Sequence, residues 1–164
     1  MSLNFLNNTC KEQERYDLSF GLCDNQDGTK AYSDAGNSET WIATVTNDSA
    51  VGLTFTPVDK CLIKDNEYPG RGRCDGILTS DQHLYFVELK NQAKSWISNA
   101  IEQLDSTIEF FKEAHDVNQF KHKKAFACNK QHRHFQEVDN ELNLAFFRKH
   151  KVRIDVQAEI LIVV

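Results

Sequence analysis

The sequence predicts an α/β domain in which helices flank a mixed β-sheet and the N-terminal part is rich in β-strands. Glycines and prolines divide the first half into short segments rich in β-branched and aromatic residues, which is typical of strands. The second half contains two helical patterns that alternate with strand patterns. With 164 residues, 40% of them hydrophobic, the chain is long enough to form one packed domain over residues 1–164.

The first half is expected to contain one short helix and two strand pairs. Asn8-Thr9 precede a predicted helix over Cys10–Tyr16. Segments Asp17–Cys23 and Thr29–Tyr32 flank a glycine-containing turn and predict a hairpin. Segments Trp41–Thr46 and Gly52–Thr56 flank a second turn and predict another strand pair.

The second half is expected to begin with a hairpin formed by Arg73–Leu78 and Leu84–Lys90. From Ala93, apolar residues recur at helical spacing as far as Phe111, which predicts an amphipathic helix. The remaining elements are a buried strand over Lys124–Cys128, a helix over Phe135–Lys149 and a single alternating strand over Val152–Val164.

The hairpin predicted over residues 73–90 contains the candidate catalytic residues. Glu88 and Lys90 are two positions apart and therefore project from one face of their strand. A two-residue Asp81-Gln82 loop would pair positions whose numbers sum to 163, which places Asp75 opposite Glu88 with Cβ atoms about 4.5–5.5 Å apart. A sum of 161 would leave Asp75 and Glu88 diagonal on the same face, whereas an even sum would separate them.

Two carboxylates that face each other repel, so a cation between them or a raised pKa is expected. Oxygen ligands favour Mg²⁺, with Mn²⁺ as a substitute. Such an ion polarises a phosphodiester, and Lys90 would orient the attacking water or stabilise negative charge. The alternative is an ordinary charged hairpin in which Glu88 pairs with Arg73 or Lys90.

The segments Asp75-Gly76-Ile77, Val87-Glu88-Leu89-Lys90 and Gln103-Leu104 resemble the PD-(D/E)xK nuclease superfamily over about residues 71–128. The resemblance implies a restriction-endonuclease-like core, with Asp75, Glu88 and the Leu89 carbonyl as metal ligands and Lys90 as the catalytic lysine. Gln103 resembles the helix glutamine of RecB-like members, although a polar residue at the helix boundary is an equal interpretation. A proline is not present before Asp75, where Cys74 stands. For the family's additional acidic residue, the candidates are Glu12 and Glu14.

Charge is distributed unevenly along the chain. The net charge of −5 divides into −5 for residues 1–60, −4 for residues 61–116 and +4 for residues 117–164. Phosphate contacts are therefore predicted from a basic segment and from residues near the hairpin. These candidates are Arg71, Arg73, Lys94, Lys121, Lys123, Lys124, Lys130 and Arg133. The alternative for the basic segment is a solvated positive surface.

The five cysteines are scattered and lack a Cys-x-x-Cys pair, which favours reduced thiols over a disulfide framework. A weaker hypothesis is a zinc site formed by Cys128, His132 and His134 with Cys61 or Cys74. No apolar run reaches the roughly 20 residues of a membrane span, so a cytoplasmic protein without membrane contact is expected.

The sequence therefore predicts a magnesium-dependent nuclease, a hydrolase of phosphodiester bonds that binds DNA more readily than RNA. The alternative is a non-catalytic interaction module with a nuclease-like fold, as a subunit of a larger nucleic-acid-processing complex. The small size favours specificity supplied by a partner protein or by a second copy. The apolar end Ile160–Val164 would form a dimer contact or complete the core, and the core is favoured.

Overall fold

The computed structural model describes residues 3–164 and contains two mixed sheets and two α-helices. The four-stranded sheet has the order β2-β1-β3-β9, and the five-stranded sheet has the order β4-β5-β6-β7-β8. The elements are β1 Ser19–Cys23, β2 Tyr32–Asp34, β3 Ala43–Thr46, β4 Thr54–Pro57, β5 Gly76–Thr79, β6 His83–Lys90, α1 Ile97–Lys112, β7 His122–Asn129, α2 Asn140–His150, β8 Arg153–Val156 and β9 Glu159–Leu161. No helix in this part of the chain is long and apolar enough to span a membrane.

The five-stranded sheet lies between the helices and the smaller sheet. Ile77 and Phe86 pack on one face of it with helix residues such as Leu104. On the other face, Tyr85 and Val87 pack with residues of the smaller sheet and its surroundings. The prediction of an α/β fold with mixed β-pairing is confirmed, but there are two mixed sheets, and only two helices pack on the larger one.

The register of the predicted hairpin is confirmed, but its first strand spans Gly76–Thr79 rather than Arg73–Leu78, so Asp75 directly precedes it. Strands β5 and β6 are antiparallel, with Gly76 opposite Val87 and Thr79 opposite Leu84. These pairs sum to 163, because the chain reverses over a short polar turn after Thr79. Strand β7 then runs parallel to β6, so that Lys90 lies beside Asn129.

Both helices form, but they begin later than predicted. Helix α1 starts at Ile97, after Ser95, whose φ of 60° interrupts the helical pattern. It buries Ala100, Leu104 and Ile108 against the sheet. Helix α2 begins at Asn140 because the Asp139 side chain accepts the Leu142 N–H as an N-cap.

The smaller sheet confirms one predicted pair and corrects another. Strands β1 and β2 form a hairpin as predicted, with Cys23 opposite Tyr32, but β2 spans Tyr32–Asp34 and overlaps the predicted strand only at Tyr32. The predicted pairing of Trp41–Thr46 with Gly52–Thr56 is wrong: β3 pairs with β1 and β9, while β4 pairs with β5 of the larger sheet. Tertiary contacts with more distant segments outweigh the short turn between β3 and β4.

The single strand predicted over Val152–Val164 is also wrong. It consists of β8 in the larger sheet and β9 in the smaller one. The chain changes sheet at Gln157, whose N–H donates to the Ala127 carbonyl over 3.1 Å, and the next N–H donates to the Arg133 carbonyl over 3.0 Å. Ile160 and Ile162 are buried, as the core prediction required, whereas Leu161, Val163 and Val164 are exposed.

The helix predicted over Cys10–Tyr16 does not form. Its backbone instead pairs with the segment around β4: the Glu12 N–H donates to the Phe55 carbonyl, and Arg15 exchanges backbone hydrogen bonds with Leu53. Cys10 is joined to Cys61 by a disulfide, which corrects the prediction that all five cysteines are reduced. Cys23, Cys74 and Cys128 are free and buried.

Candidate active site

A cleft of about 390 Å³ opens where β5 begins and β6 ends. Asp75, Glu88, Leu89, Lys90 and Gln103 all line it, so the predicted catalytic and metal-binding residues meet in one place. The remaining lining residues come from two connections. The connection between β1 and β2 contributes Asp24, Gln26, Gly28 and Thr29, and the connection between β4 and β5 contributes Asp59, Lys60, Arg71, Gly72 and Arg73.

Asp75 and Glu88 are tied together through the main chain. The Asp75 N–H donates to Glu88 Oε1 over 3.2 Å, as expected for residues at opposed positions of the hairpin. The Leu89 N–H donates to Asp75 Oδ2 over 2.6 Å. Both side chains are buried, and Glu88 is 4% exposed. The carboxylates are therefore held in fixed orientations at the inner end of the cleft.

Burial raises the pKa of both carboxyl groups. The pKa of Glu88 rises to about 7, although the Lys90 ammonium opposes this shift. The pKa of Asp75 lies well above its usual value because of burial and because Glu88 and Asp24 carry like charge. Two adjacent groups that both resist ionisation form a pair that binds a proton or a cation.

Lys90 lies beside the carboxylate pair. Its Nζ is 3.3 Å from Glu88 Oε2 and donates to Asn99 Oδ1 over 2.7 Å. The side chain is 15% exposed, so the ammonium faces the cleft while its stem packs against protein. An ammonium has three N–H donors, of which these two contacts use two.

The Leu89 carbonyl, the predicted third metal ligand, accepts a 3.4 Å hydrogen bond from Gln26 Nε2. Gln26 belongs to the connection between β1 and β2, where it has a φ of 58°. The connection between β1 and β2 therefore forms one side of the site.

Gln103 reaches the cleft from α1. Its Oε1 accepts a 2.7 Å hydrogen bond from the N–H of Arg73, which lies two residues before Asp75. Gly72 permits this approach, because a Cβ there would lie 2.7 Å from Gln103 Oε1. Both interpretations of Gln103 left open by the sequence remain compatible with this position, since the residue bonds to the backbone and also lines the cleft.

The two predicted phosphate-binding arginines at the cleft already have acidic partners. Arg71 Nη2 is 2.6 Å from Glu113 Oε2. Arg73 contacts Asp59 at 3.1 Å and Asp65 at 3.2 Å. A phosphate group would have to share or displace these carboxylates.

The other predicted phosphate contacts lie outside the cleft. Lys94 lines a separate depression beside Trp96. Lys121, Lys123 and Lys124 lie at the start of β7, whereas Lys90 pairs with the end of β7, about 20 Å further along the strand. Lys124 forms an ion pair with Asp155 at 2.7 Å.

Lys130 and Arg133 lie beyond the end of β7 that is nearer the cleft. Both bond to the backbone around β3: Lys130 Nζ donates to the Glu39 carbonyl over 2.6 Å, and Arg133 Nη1 donates to the Trp41 carbonyl over 3.2 Å. These two side chains therefore have structural partners. Neither residue lines the cleft, so a phosphate bound in the cleft would not contact them.

The acidic residues proposed to complete the site lie elsewhere. Glu12 accepts hydrogen bonds from Ser33, and Glu14 accepts one from the Tyr16 hydroxyl over 2.5 Å. Asp24 and Asp59, which were not predicted as site residues, line the cleft instead. Asp24 directly follows β1 and precedes the predicted turn over residues 25–28, and this position is the only sequence signal near it.

The three cysteines of the zinc hypothesis are not placed to bind a metal ion. Cys61 is in the disulfide, and Cys74 and Cys128 are buried thiols whose pKa values are raised by desolvation. Residues 3–164 contain no group of three or more His, Cys, Asp or Glu side chains with an arrangement that could hold a metal ion. A cation in the cleft would therefore depend on two carboxylates together with backbone and water oxygens.

Comparisons with known proteins leave the family open. The chain matches no protein-family model, no curated protein and no solved structure.

Proposed function

We propose that the protein is a metal-dependent nuclease that hydrolyses phosphodiester bonds, with DNA favoured over RNA as the substrate. The observation that carries the proposal is the convergence of Asp75, Glu88 and Lys90 on one cleft, in the register that opposes the two carboxylates. The resemblance of the same residues to the PD-(D/E)xK superfamily and its restriction-endonuclease-like core supports it further.

Mg²⁺ fits the donor chemistry of the inner cleft. Asp75 and Glu88 supply hard oxygen ligands, and the Leu89 carbonyl lies at the same place. Burial raises the pKa of both carboxyls, and the Lys90 ammonium offsets this shift only in part at Glu88. A divalent ion would add positive charge between the two carboxylates and act as a Lewis acid on a phosphoryl oxygen.

The residues of the chain divide the remaining tasks. Asp75 and Glu88 would hold the cation, with Asp75 fixed by the Leu89 N–H. Lys90, held by Asn99 and Glu88, would donate its remaining N–H to the attacking water or to a phosphoryl oxygen. This contact would become stronger as negative charge develops in the transition state.

A non-catalytic interaction module is the second candidate, and a specific observation favours it. The cations at the mouth of the cleft are paired: Lys60 with Asp65 at 2.8 Å, Arg71 with Glu113, and Arg73 with Asp59. A protein with a net charge of −5 and paired cations attracts a polyanion weakly. In this alternative the cleft would bind a partner protein without chemistry.

The test is cleavage of supercoiled DNA, linear DNA and RNA in the presence of Mg²⁺ or Mn²⁺. Asp75→Ala should abolish cleavage, and Lys90→Ala should reduce it by about 10²–10⁴-fold. Lys11→Ala is the matched control, because Lys11 is an exposed lysine in a separate depression. Equal residual cleavage by all four proteins would indicate a contaminant and would reject the nuclease in favour of the interaction module.

A further inference from the structure

An exposed aromatic side chain lies next to the proposed nuclease cleft. Tyr68 is 40% exposed and is the first residue of a turn that ends at Arg71, whose N–H donates to the Tyr68 carbonyl over 3.3 Å. Arg71 lines the cleft together with Asp75 and Glu88. Tyr68 does not itself line the cleft, but it lies three residues before Arg71, in the turn that leads to the cleft.

The ring of Tyr68 is supported from below. It meets Phe110 of α1 edge to face, with ring centroids 4.8 Å apart. Phe110 is 3% exposed, so it supplies a fixed base without itself reaching solvent. The Arg71 guanidinium stacks on the same Phe110 ring at 4.0 Å. Phe110 thus positions an exposed ring and a cation side by side.

Arg71 is oriented by two contacts. Its Nη2 lies 2.6 Å from Glu113 Oε2, and its plane rests on Phe110. A guanidinium has five N–H donors, of which a single carboxylate uses only part. Donors therefore remain for a phosphate group that approaches along the cleft, while the orientation of the guanidinium is already established.

We propose that Tyr68 and Arg71 form a nucleotide subsite, with the base stacked on Tyr68 and its phosphate beside Arg71, so that the enzyme acts on single-stranded nucleic acid. The inference rests on the proposed nuclease function and specifies its substrate. Aromatic side chains next to positive charge are the means by which proteins bind unpaired bases without regard to sequence. In a duplex both faces of a base are covered by its neighbours, so a paired base cannot lie on Tyr68.

The recessed position of the carboxylates supports the same choice. Asp75 and Glu88 are 9% and 4% exposed, so a phosphodiester must enter the cleft to reach them. A single strand can bend a phosphate inward while its base remains at the rim. The backbone of an intact duplex has less freedom to do so.

The experiment separates binding from cleavage. Fluorescence anisotropy would measure binding of a labelled single-stranded oligodeoxynucleotide to the Asp75→Asn protein in EDTA, where no cleavage occurs. Adding Tyr68→Ala should weaken this binding by about 5- to 150-fold, the range measured for loss of one stacked base. Tyr68→Phe keeps the ring and should retain binding within about twofold.

Three controls define the outcome. Tyr16→Ala removes a tyrosine that is even more exposed, at 58%, and lines a different depression, so it should leave binding unchanged. An oligonucleotide without bases, and a duplex of equal length, should bind equally to proteins with and without Tyr68→Ala. A loss of affinity confined to bases in the single strand supports the subsite. If the Tyr68→Ala protein binds the single strand as tightly as the protein with Tyr68, the subsite is overturned, even if cleavage is demonstrated. If Tyr68→Ala weakens binding but no cleavage occurs, the nuclease is rejected and the subsite is retained.

Discussion

Asp75 and Leu89 are joined by a hydrogen bond of 2.6 Å from the Leu89 N–H to Asp75 Oδ2. The bond fixes the carboxylate of Asp75 to the strand that carries Glu88 and Lys90. The relative positions of the three side chains therefore follow from the backbone of the β5–β6 hairpin. A ligand is not needed to assemble them.

The pKa of Glu88 predicts how stability changes with pH. The group has a pKa near 4.5 in the unfolded chain and about 7 in the folded protein. Between these values the folded state binds a proton that the unfolded state has lost, so the free energy of unfolding should fall as the pH rises from about 4.5 to 7. In Glu88→Gln this contribution disappears.

Urea unfolding of both proteins between pH 4.5 and 8 measures the difference. The wild type should lose about 1–3 kcal/mol relative to Glu88→Gln across this interval. Other titrating groups are common to the two proteins and cancel, except Asp75, whose pKa is raised in part by the charge of Glu88 and is therefore raised less in Glu88→Gln. Parallel stability curves would show that Glu88 titrates normally in the folded protein.

A divalent cation should raise thermal stability. A ligand at one hundred times its dissociation constant stabilises a folded protein by about 2.7 kcal/mol, which corresponds to about 5–10 °C in a chain of this length. Differential scanning calorimetry with Mg²⁺ and with EDTA would measure the shift. Asp75→Asn should abolish it.

Asp81→Asn provides the matched control for this shift, because Asp81 is an exposed carboxylate at the far turn of the same hairpin. It should respond to Mg²⁺ as the wild type does. If Asp75→Asn also kept the full response, the ion would be bound somewhere other than the cleft.

Substitutions at Gln103 distinguish its two roles. Its Oε1 accepts the Arg73 N–H, so Gln103→Glu preserves an acceptor while Gln103→Leu removes it. Gln103→Leu should lower the free energy of unfolding by about 1 kcal/mol, and Gln103→Glu should lower it much less. Gly72→Ala should resemble Gln103→Leu, because its Cβ would displace Oε1.

Cleavage assays of the same variants complete this test. Loss of activity in Gln103→Glu without loss of stability would assign a catalytic role to the amide. Full activity in Gln103→Glu, together with reduced stability in Gln103→Leu, would mean that Gln103 acts by supporting the backbone ahead of Asp75.

Reduction of the Cys10–Cys61 disulfide should destabilise the protein. The two residues are 51 positions apart, and opening a loop of this length costs about 4 kcal/mol in the chain-entropy description. The urea midpoint should fall when a reductant is added. In the Cys10→Ser/Cys61→Ser double variant the urea midpoint should already be low, and a reductant should not change it. An unchanged midpoint in the reduced wild type would contradict the prediction.

The sequence predicted those features that depend on local periodicity and short turns. The β5–β6 register followed from a two-residue loop and from side-chain alternation, and the structure confirms it. The amphipathic helix α1 was also predicted from a local pattern, the spacing of its apolar residues. Asp75, Glu88, Leu89, Lys90 and Gln103 could be placed at one cleft because they all lie on or beside these elements.

Other features depend on contacts between distant segments, which periodicity does not encode. Strand β3 has a close neighbour in sequence in β4 but pairs with β9, more than one hundred residues away. The Cys10–Cys61 bond and the position of Asp24 beside Asp75 arise in the same way. The segment after Cys10 follows a typical N-capping pair, Asn8-Thr9, but its backbone pairs with residues near β4 instead of forming a helix.

The parallel pairing of β3 with β9 has a consequence for synthesis. Until residues 159–161 leave the ribosome, β3 has one row of backbone N–H and C=O groups without its partner strand, although β1 is already available on the other side. Such an open edge can recruit a strand from another nascent chain. The yield of correctly assembled protein should therefore depend on how quickly the ribosome translates the chain through residues 159–161.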